Sequence, residues 1–140
     1  MLKKVIKYTD YNGVEREEEK YFNFNKAELM EMELTTVGGL SGLIEKIIKT
    51  KDYPSLVKMF KGLILDSYGE KSADGVQFEK SESIRKRFEQ SEAYSELFME
   101  LATNSESAAN FINGIIPKDL RDQVEKEAKD KMKALEAAAN

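Results

Sequence analysis

Between residues 91 and 116 the apolar side chains recur at helical spacing twice in succession, and this fixes the kind of chain the rest must be. Ala93, Tyr94, Leu97, Phe98, Leu101 and Ala102 form one stripe, while Glu92, Ser95, Glu96, Glu100 and Thr103 lie opposite. The spacing predicts an amphipathic helix. Thr103, with Glu106 three residues later, fits a capping box that restarts the chain as a second helix carrying Phe111, Ile112, Ile115 and Ile116. Pro117 then disfavours helical geometry at Ile116 and opens a new segment.

The N-terminus has the other period. Leu2, Lys4, Ile6 and Tyr8 alternate with Lys3, Val5, Lys7 and Thr9, which reads as a strand. Asn12-Gly13 suits a two-residue type I′ turn, so Val14 to Phe24 is expected to return antiparallel. That register sets Lys7 against Glu18 and Val5 against Lys20, and makes the run Glu15 to Lys20 a solvated, ion-paired surface that needs no ligand. A lone hairpin is barely stable in water, so the ribbon must pack on helices or be paired through an open edge by another chain. Tyr21, Phe22 and Phe24 are expected to be core, with Asn25 and Glu28 capping the next helix and Phe24 stapled to Leu29.

Further along, Thr35 to Gly39 is a loop whose glycines lack the lysine, hydroxyl and strand context of a phosphate-binding loop. Leu40, Leu43, Ile44, Ile47 and Ile48 form a core-helix stripe. Asp52 and Pro54 start another helix, with Tyr53, Leu56, Val57, Phe60, Leu63, Ile64 and Tyr68 inward and Gly69 as its stop. Glu70 to Lys80 is a connector that turns at Asp74-Gly75, with Val76 to Phe78 as a short extended piece. Ser81 caps a helix with Ile84 and Phe88 inward and Arg85, Lys86 and Arg87 on a mixed solvated surface. Neither Asp10 to Gly13 nor Asp74-Gly75 has the alternating oxygen ligands and closing glutamate of a calcium loop.

Composition narrows the function. The 140 residues fit one domain, and 41% of them are hydrophobic, enough for a real core. Cysteine and histidine are both absent, which removes thiol chemistry, disulfides, the usual neutral-pH acid–base group and the commonest transition-metal ligands. A net charge of −4 argues against nucleic acid as partner. No apolar run reaches the about 18 residues of a membrane span, and Met1 to Val5 leads into a strand pattern rather than a signal-peptide core, so the expected location is the cytoplasm. Glu92, Glu96 and Glu100 line one helix face at i, i+4 spacing, but on a polar face such a row is expected to be solvated rather than catalytic. No enzyme, cofactor or metal site is expected.

Pro117 to Asn140 is charged, alanine-rich and free of aromatics. Leu120, Val124, Ala128, Met132 and Leu135 trace a thin apolar seam, too narrow for a helix that stands alone. The seam suits docking within the chain or recognition by another chain's groove, and Leu120, Val124, Ala128 and Leu135 are the candidate partner-binding residues. The expected organisation is α+β and mostly helical. An N-terminal β-hairpin precedes a bundle of five to six helices in a single domain over 1–116, and a charged amphipathic helical extension occupies 117–140.

The stretch EAYSELFMELAT followed by AANFINGIIPKDL resembles the tail assembly chaperones of long-tailed, siphovirus-type phages and prophages of Gram-positive bacteria. YTDYNGVEREEEKYFNFNKAELMEMELTTVGGL and SYGEKSADGVQF extend the resemblance more loosely, over about residues 5–120. The resemblance implies a non-catalytic, oligomeric protein of the host cytoplasm. Such a protein binds the tape measure protein, keeps it soluble, helps recruit tail tube subunits and is absent from the mature virion. It also implies that this chain corresponds to the shorter of two forms, the longer arising by ribosomal frameshifting. The competing expectation is a structural tail or neck component retained in the virion as a ring, for which an open strand edge could join neighbouring subunits.

Overall fold

The computed structural model describes residues 1–35, 38, 39, 42, 49 and 53–116. Its fold begins with the turn between the first two strands, β1 (Leu2–Thr9) and β2 (Glu15–Phe22). The Asp10 carboxylate accepts from the backbone N–H of Asn12 at 2.9 Å and of Val14 at 3.0 Å, and it pairs with Arg16 at 2.6 Å. These contacts select a type I turn closed by Gly13 N–H to Asp10 C=O, followed by Gly13 in the left-handed region at φ 79°. Asn12 keeps a negative φ, so the expected type I′ turn does not form. The loop gains a residue and the register moves by one: Lys7 pairs with Glu17 and Val5 with Glu19, not with Glu18 and Lys20.

That shift decides which side chains share a face. Even-numbered residues now pair with even-numbered ones, so Leu2 stands against Phe22 and Ile6 against Glu18 on the covered face. A one-residue slip would have put Phe22 and Ile6 on opposite faces. The odd face carries Lys3, Val5, Lys7, Glu17, Glu19 and Tyr21, and is mostly exposed. Lys3 pairs with Glu19 at 3.6 Å, and the Tyr21 hydroxyl donates to Glu19, which with Lys3 holds that carboxyl below its usual range. The charge run is thus a solvated, cross-linked surface, as expected.

Asn25 and Glu28 form the reciprocal capping box of α1 (Lys26–Thr35): Glu28 N–H donates to Asn25 Oδ1 at 2.8 Å, and Asn25 N–H to Glu28 Oε1 at 3.0 Å. Phe24 and Leu29 are both buried, consistent with a staple across the corner. The stripe from Leu40 to Ile48, and Asp52, lie outside the described residues. The next described helix, α2 (Tyr53–Ser67), buries Ile64, Leu65 and Ser67, while Val57, expected inward, is 45% exposed. Ser67 closes it by donating its hydroxyl to Leu63 C=O at 2.6 Å.

Here the expected architecture needs correcting. The helix stops at Ser67, and Tyr68 and Gly69, read as its last inner residue and its stop, begin β3 (Tyr68–Lys71). Gly69 is needed for closeness: a Cβ there would stand 2.4 Å from the Phe78 ring and 2.9 Å from Glu79 C=O. β3 pairs with β2 and with β4 (Phe78–Glu79), giving one antiparallel sheet in the order β1-β2-β3-β4. The N-terminal hairpin is therefore half of a four-stranded sheet rather than a separate ribbon.

Three helices complete the described chain: α3 (Glu82–Glu89), α4 (Glu92–Thr103) and α5 (Ser105–Ile115). Ser81 caps α3, accepting from Ile84 N–H at 3.1 Å, with Ile84 and Phe88 inward as expected. Ala93, Leu97 and Leu101 of α4 are buried, as are Phe111 and Ile115 of α5. The cap between these helices falls one residue later than expected. Asn104 is the cap, accepting from Glu106 and Ser107 N–H, while Thr103 turns back to donate to Met99 C=O at 2.6 Å. The fold is α+β, with five helices and four strands among the described residues.

Phe22, with no exposed surface, meets Tyr68, Phe88 and Phe111 edge-on at centroid distances of 5.6, 5.7 and 5.2 Å. Tyr68 stacks on Phe88 at 4.0 Å. Phe22→Ala is expected to cost about 3–5 kcal/mol, measured by urea unfolding, because it empties the point where β2, β3, α3 and α5 converge. Burial and the nearby Glu70 charge push the Tyr68 phenol up to about 12. Above the ordinary tyrosine value near 10, the unfolded chain sheds this proton while the folded one keeps it, so the Tyr68 contribution to stability falls as pH rises towards 12. Tyr68→Phe is expected to match the parent near pH 7 and to exceed it increasingly above pH 10, in unfolding curves collected across that range.

Candidate partner-binding surfaces

The candidate partner residues Leu120, Val124, Ala128 and Leu135 lie outside the described residues. Within the described domain, three surfaces have a definite construction. A groove between α1, α2 and α3 is floored by Phe24, Met32, Leu65 and Tyr68. Its rim is occupied by its own chain: the Lys80 ammonium donates to Asn23 C=O at 2.8 Å and to Glu28 at 2.6 Å, and lies 4.9 Å from the Phe24 ring centroid. Arg85 pairs with Asp66 across α2 and α3. One of the three basic residues of α3 is therefore held by an acid, and the other two, Lys86 and Arg87, are exposed.

The second surface is the crevice at the hairpin tip, lined by Lys7, Tyr8, Glu15, Arg16, Glu17 and Glu96. The glutamate row of α4 runs beside it and is more than a solvated face. Glu100 pairs with Lys4 at 3.1 Å, and a hydrogen bond to Glu92 raises the Tyr11 phenol. The row thus ties α4 to both ends of the hairpin. Tyr8 donates its hydroxyl to Glu18 on the covered face.

The third surface is the edge of β1 turned away from β2, which pairs with no strand among the described residues. Asp10 and Val14 form a hydrogen-bonded pair, and such pairs alternate along an antiparallel ladder. Leu2, Lys4, Ile6 and Tyr8 therefore turn their backbone groups to β2, while Lys3, Val5, Lys7 and Thr9 turn theirs outward. These outward groups meet no backbone partner among the described residues, and all four side chains are exposed. The sequence flagged an open edge, but identifying its residues required the turn that sets the alternation.

A general acid or base works best with a pKa near the operating pH. Every shifted group described here moves the other way. Arg16 and the backbone of Val14 hold Asp10 low, Ser72 and the backbone of Val76 hold Asp74 low, and Glu89 holds Lys61 high. Burial raises Tyr68 and Tyr94. No cluster of carboxylates among the described residues is placed to hold a metal ion, and no helix among them is long and apolar enough to cross a membrane.

A model of the family described as phage tail assembly chaperone matches residues 1–140. No match is found among curated proteins or among solved structures. The role of that family is a non-catalytic one in phage tail assembly. With the match running the full length of the sequence, the chain belongs to the phage tail assembly chaperone family.

Proposed function

We propose that this protein binds the tape measure protein of its phage, keeps it soluble before the tail tube polymerises, and helps recruit tube subunits around it. The observation that carries this reading is the family match over the whole chain. A tape measure protein is a long helical chain whose exposed apolar seams invite aggregation, and covering them requires amphipathic surfaces rather than reactive groups. On this reading the protein acts in the host cytoplasm as a homo-oligomer, with several copies per client, and leaves before the virion is complete.

The division of labour we propose places folding in residues 1–116 and client contact in 117–140. Supporting it, the described core closes on Phe111 and Ile115 at the end of α5. Leu120, Val124, Ala128 and Leu135 then form a seam that meets the apolar stripe of a client helix or of a second copy.

Co-expression with the tape measure protein of the same phage, followed by affinity capture and light scattering, tests the reading. A soluble complex with several copies per client is the expected result. An insoluble client, or stoichiometric recovery of this protein from purified virions by mass spectrometry, would instead identify a structural ring component. Leu120→Asp/Val124→Asp is expected to retain the circular dichroism of the parent while weakening client capture at least about tenfold, the scale of losing two buried anchors. Loss of the folded signal in that variant would refute the division at residue 116.

A further inference from the structure

We propose that the open edge of β1 is a docking site for an extended segment of a protein partner, added to the sheet as a further antiparallel strand. The segment carries acidic side chains four positions apart with a β-branched residue midway between them. This site is independent of the 117–140 seam and of the identity of the client.

The hydrogen-bonding side of the argument is the ladder itself. Lys3, Val5, Lys7 and Thr9 face outward with their N–H and C=O groups, so β1, eight residues long and free of proline, offers an unbroken template. In a strand added there antiparallel, the residues exchanging hydrogen bonds with Lys3, Val5 and Lys7 place their side chains directly opposite these on the outer face. The spacing of the three then dictates the partner's motif: acid, any residue, β-branched, any residue, acid.

The molecule displays this complementarity on the other side of the same strand. β2 sets Glu17 across from Lys7 and Glu19 across from Val5, with Glu19 close enough to pair with Lys3. No ion pair of Lys7 is found among the described residues, and the open edge stands beside it. Acids at the intervening positions of the incoming strand would gain nothing, because these face the covered side, where Lys4 is taken by Glu100 and Tyr8 by Glu18. The preferred partner is therefore alternating rather than uniformly acidic.

A second copy of the chain fits poorly. Two β1 strands related by a two-fold centred on Val5 set Lys3 against Lys7 at both ends. Centring on Ile6 leaves Lys7 diagonal to Lys3 and Lys7 of the other copy. The opposite edge of the sheet, β4, is only two residues long and could not cover β1 head to tail. A foreign strand bearing acids avoids both difficulties.

Amide hydrogen exchange by NMR on the full chain tests the proposal with the peptide Thr-Glu-Thr-Val-Thr-Glu-Thr, blocked at both ends. In the free protein, the amides of Lys4, Ile6 and Tyr8 are expected to be protected and those of Lys3, Val5 and Lys7 to exchange rapidly. Added peptide is expected to slow the second set. The same peptide with lysine for glutamate, and one of the original composition with its glutamates adjacent, are each expected to bind at least about tenfold more weakly. Val5→Pro removes an outward N–H while leaving the β1–β2 ladder intact, and should abolish binding with the hairpin's own protection unchanged. Lys3→Gln/Lys7→Gln should erase the preference between the acidic and basic peptides. Equal binding of all three peptides, or binding that leaves the Lys3, Val5 and Lys7 amides unprotected, overturns the proposal. Protection of those amides before any peptide is added also overturns it, since the edge would then already be occupied by this chain or a second copy.

Discussion

The contact on which the rest of the structure depends is the meeting of Phe22 with Tyr68, Phe88 and Phe111. Each ring belongs to a different element, so one side chain on β2 joins the sheet to α3 and α5. The edge-on geometry at 5.2–5.7 Å directs the electropositive rim of one ring at the face of another. Because Phe22 is also the residue paired with Leu2 and Tyr68 across the sheet, its position is fixed from the backbone as well as the core. Shifting β2 by one residue would withdraw Phe22 from the cluster altogether, so hairpin register and aromatic packing are one constraint.

This dependence explains what was legible in the sequence and what was not. Helical stripes and local caps were readable because their causes are local: Asn25 with Glu28 and Ser81 with Ile84 act within a single turn. Even so, the cap at the α4–α5 junction fell one residue late, since Asn104 outcompetes Thr103 by having an amide oxygen that reaches two N–H groups at once. The hairpin turn failed for a different reason. Asn-Gly is a strong local signal, yet Asp10 supplied three competing interactions from just outside that dipeptide. The apolar residues held enough information to correct it, because only the longer loop places Leu2, Ile6, Phe22 and Phe24 on one face.

Of the last two strands, β4 lies at the end of the extended piece expected over Val76 to Phe78, whereas β3 was hidden by size and distance. Nothing in Tyr68 to Lys71 announces a strand, because an apolar helix runs straight into it and a glycine follows at once. What makes it one is long-range: β2 offers Phe22 and Tyr21 as partners, and Phe78 comes down onto the glycine from the far side. The candidate site divides in the same way. The seam of 117–140 is a sequence pattern whose residues fall outside those described, whereas the β1 edge is a property of topology that no single stretch reveals.

The edge also shows how this fold reconciles exposure with specificity. A sheet with one covered face and a long free strand is prone to unwanted pairing, and lysines along the strand are a common safeguard, since they repel a second copy of themselves. Here the safeguard is incomplete in a particular sense. Lys4 faces inward and pairs with Glu100, which leaves on the outer face Lys3, shared with Glu19, and Lys7, without an ion pair among the described residues, as the positive charges beside the edge. A strand of like charge is turned away and a neutral one gains only its backbone bonds, while one with acids at matching positions gains both. The arrangement that keeps copies of the chain apart at this edge thus admits one class of extended segment, and the same two lysines set both outcomes.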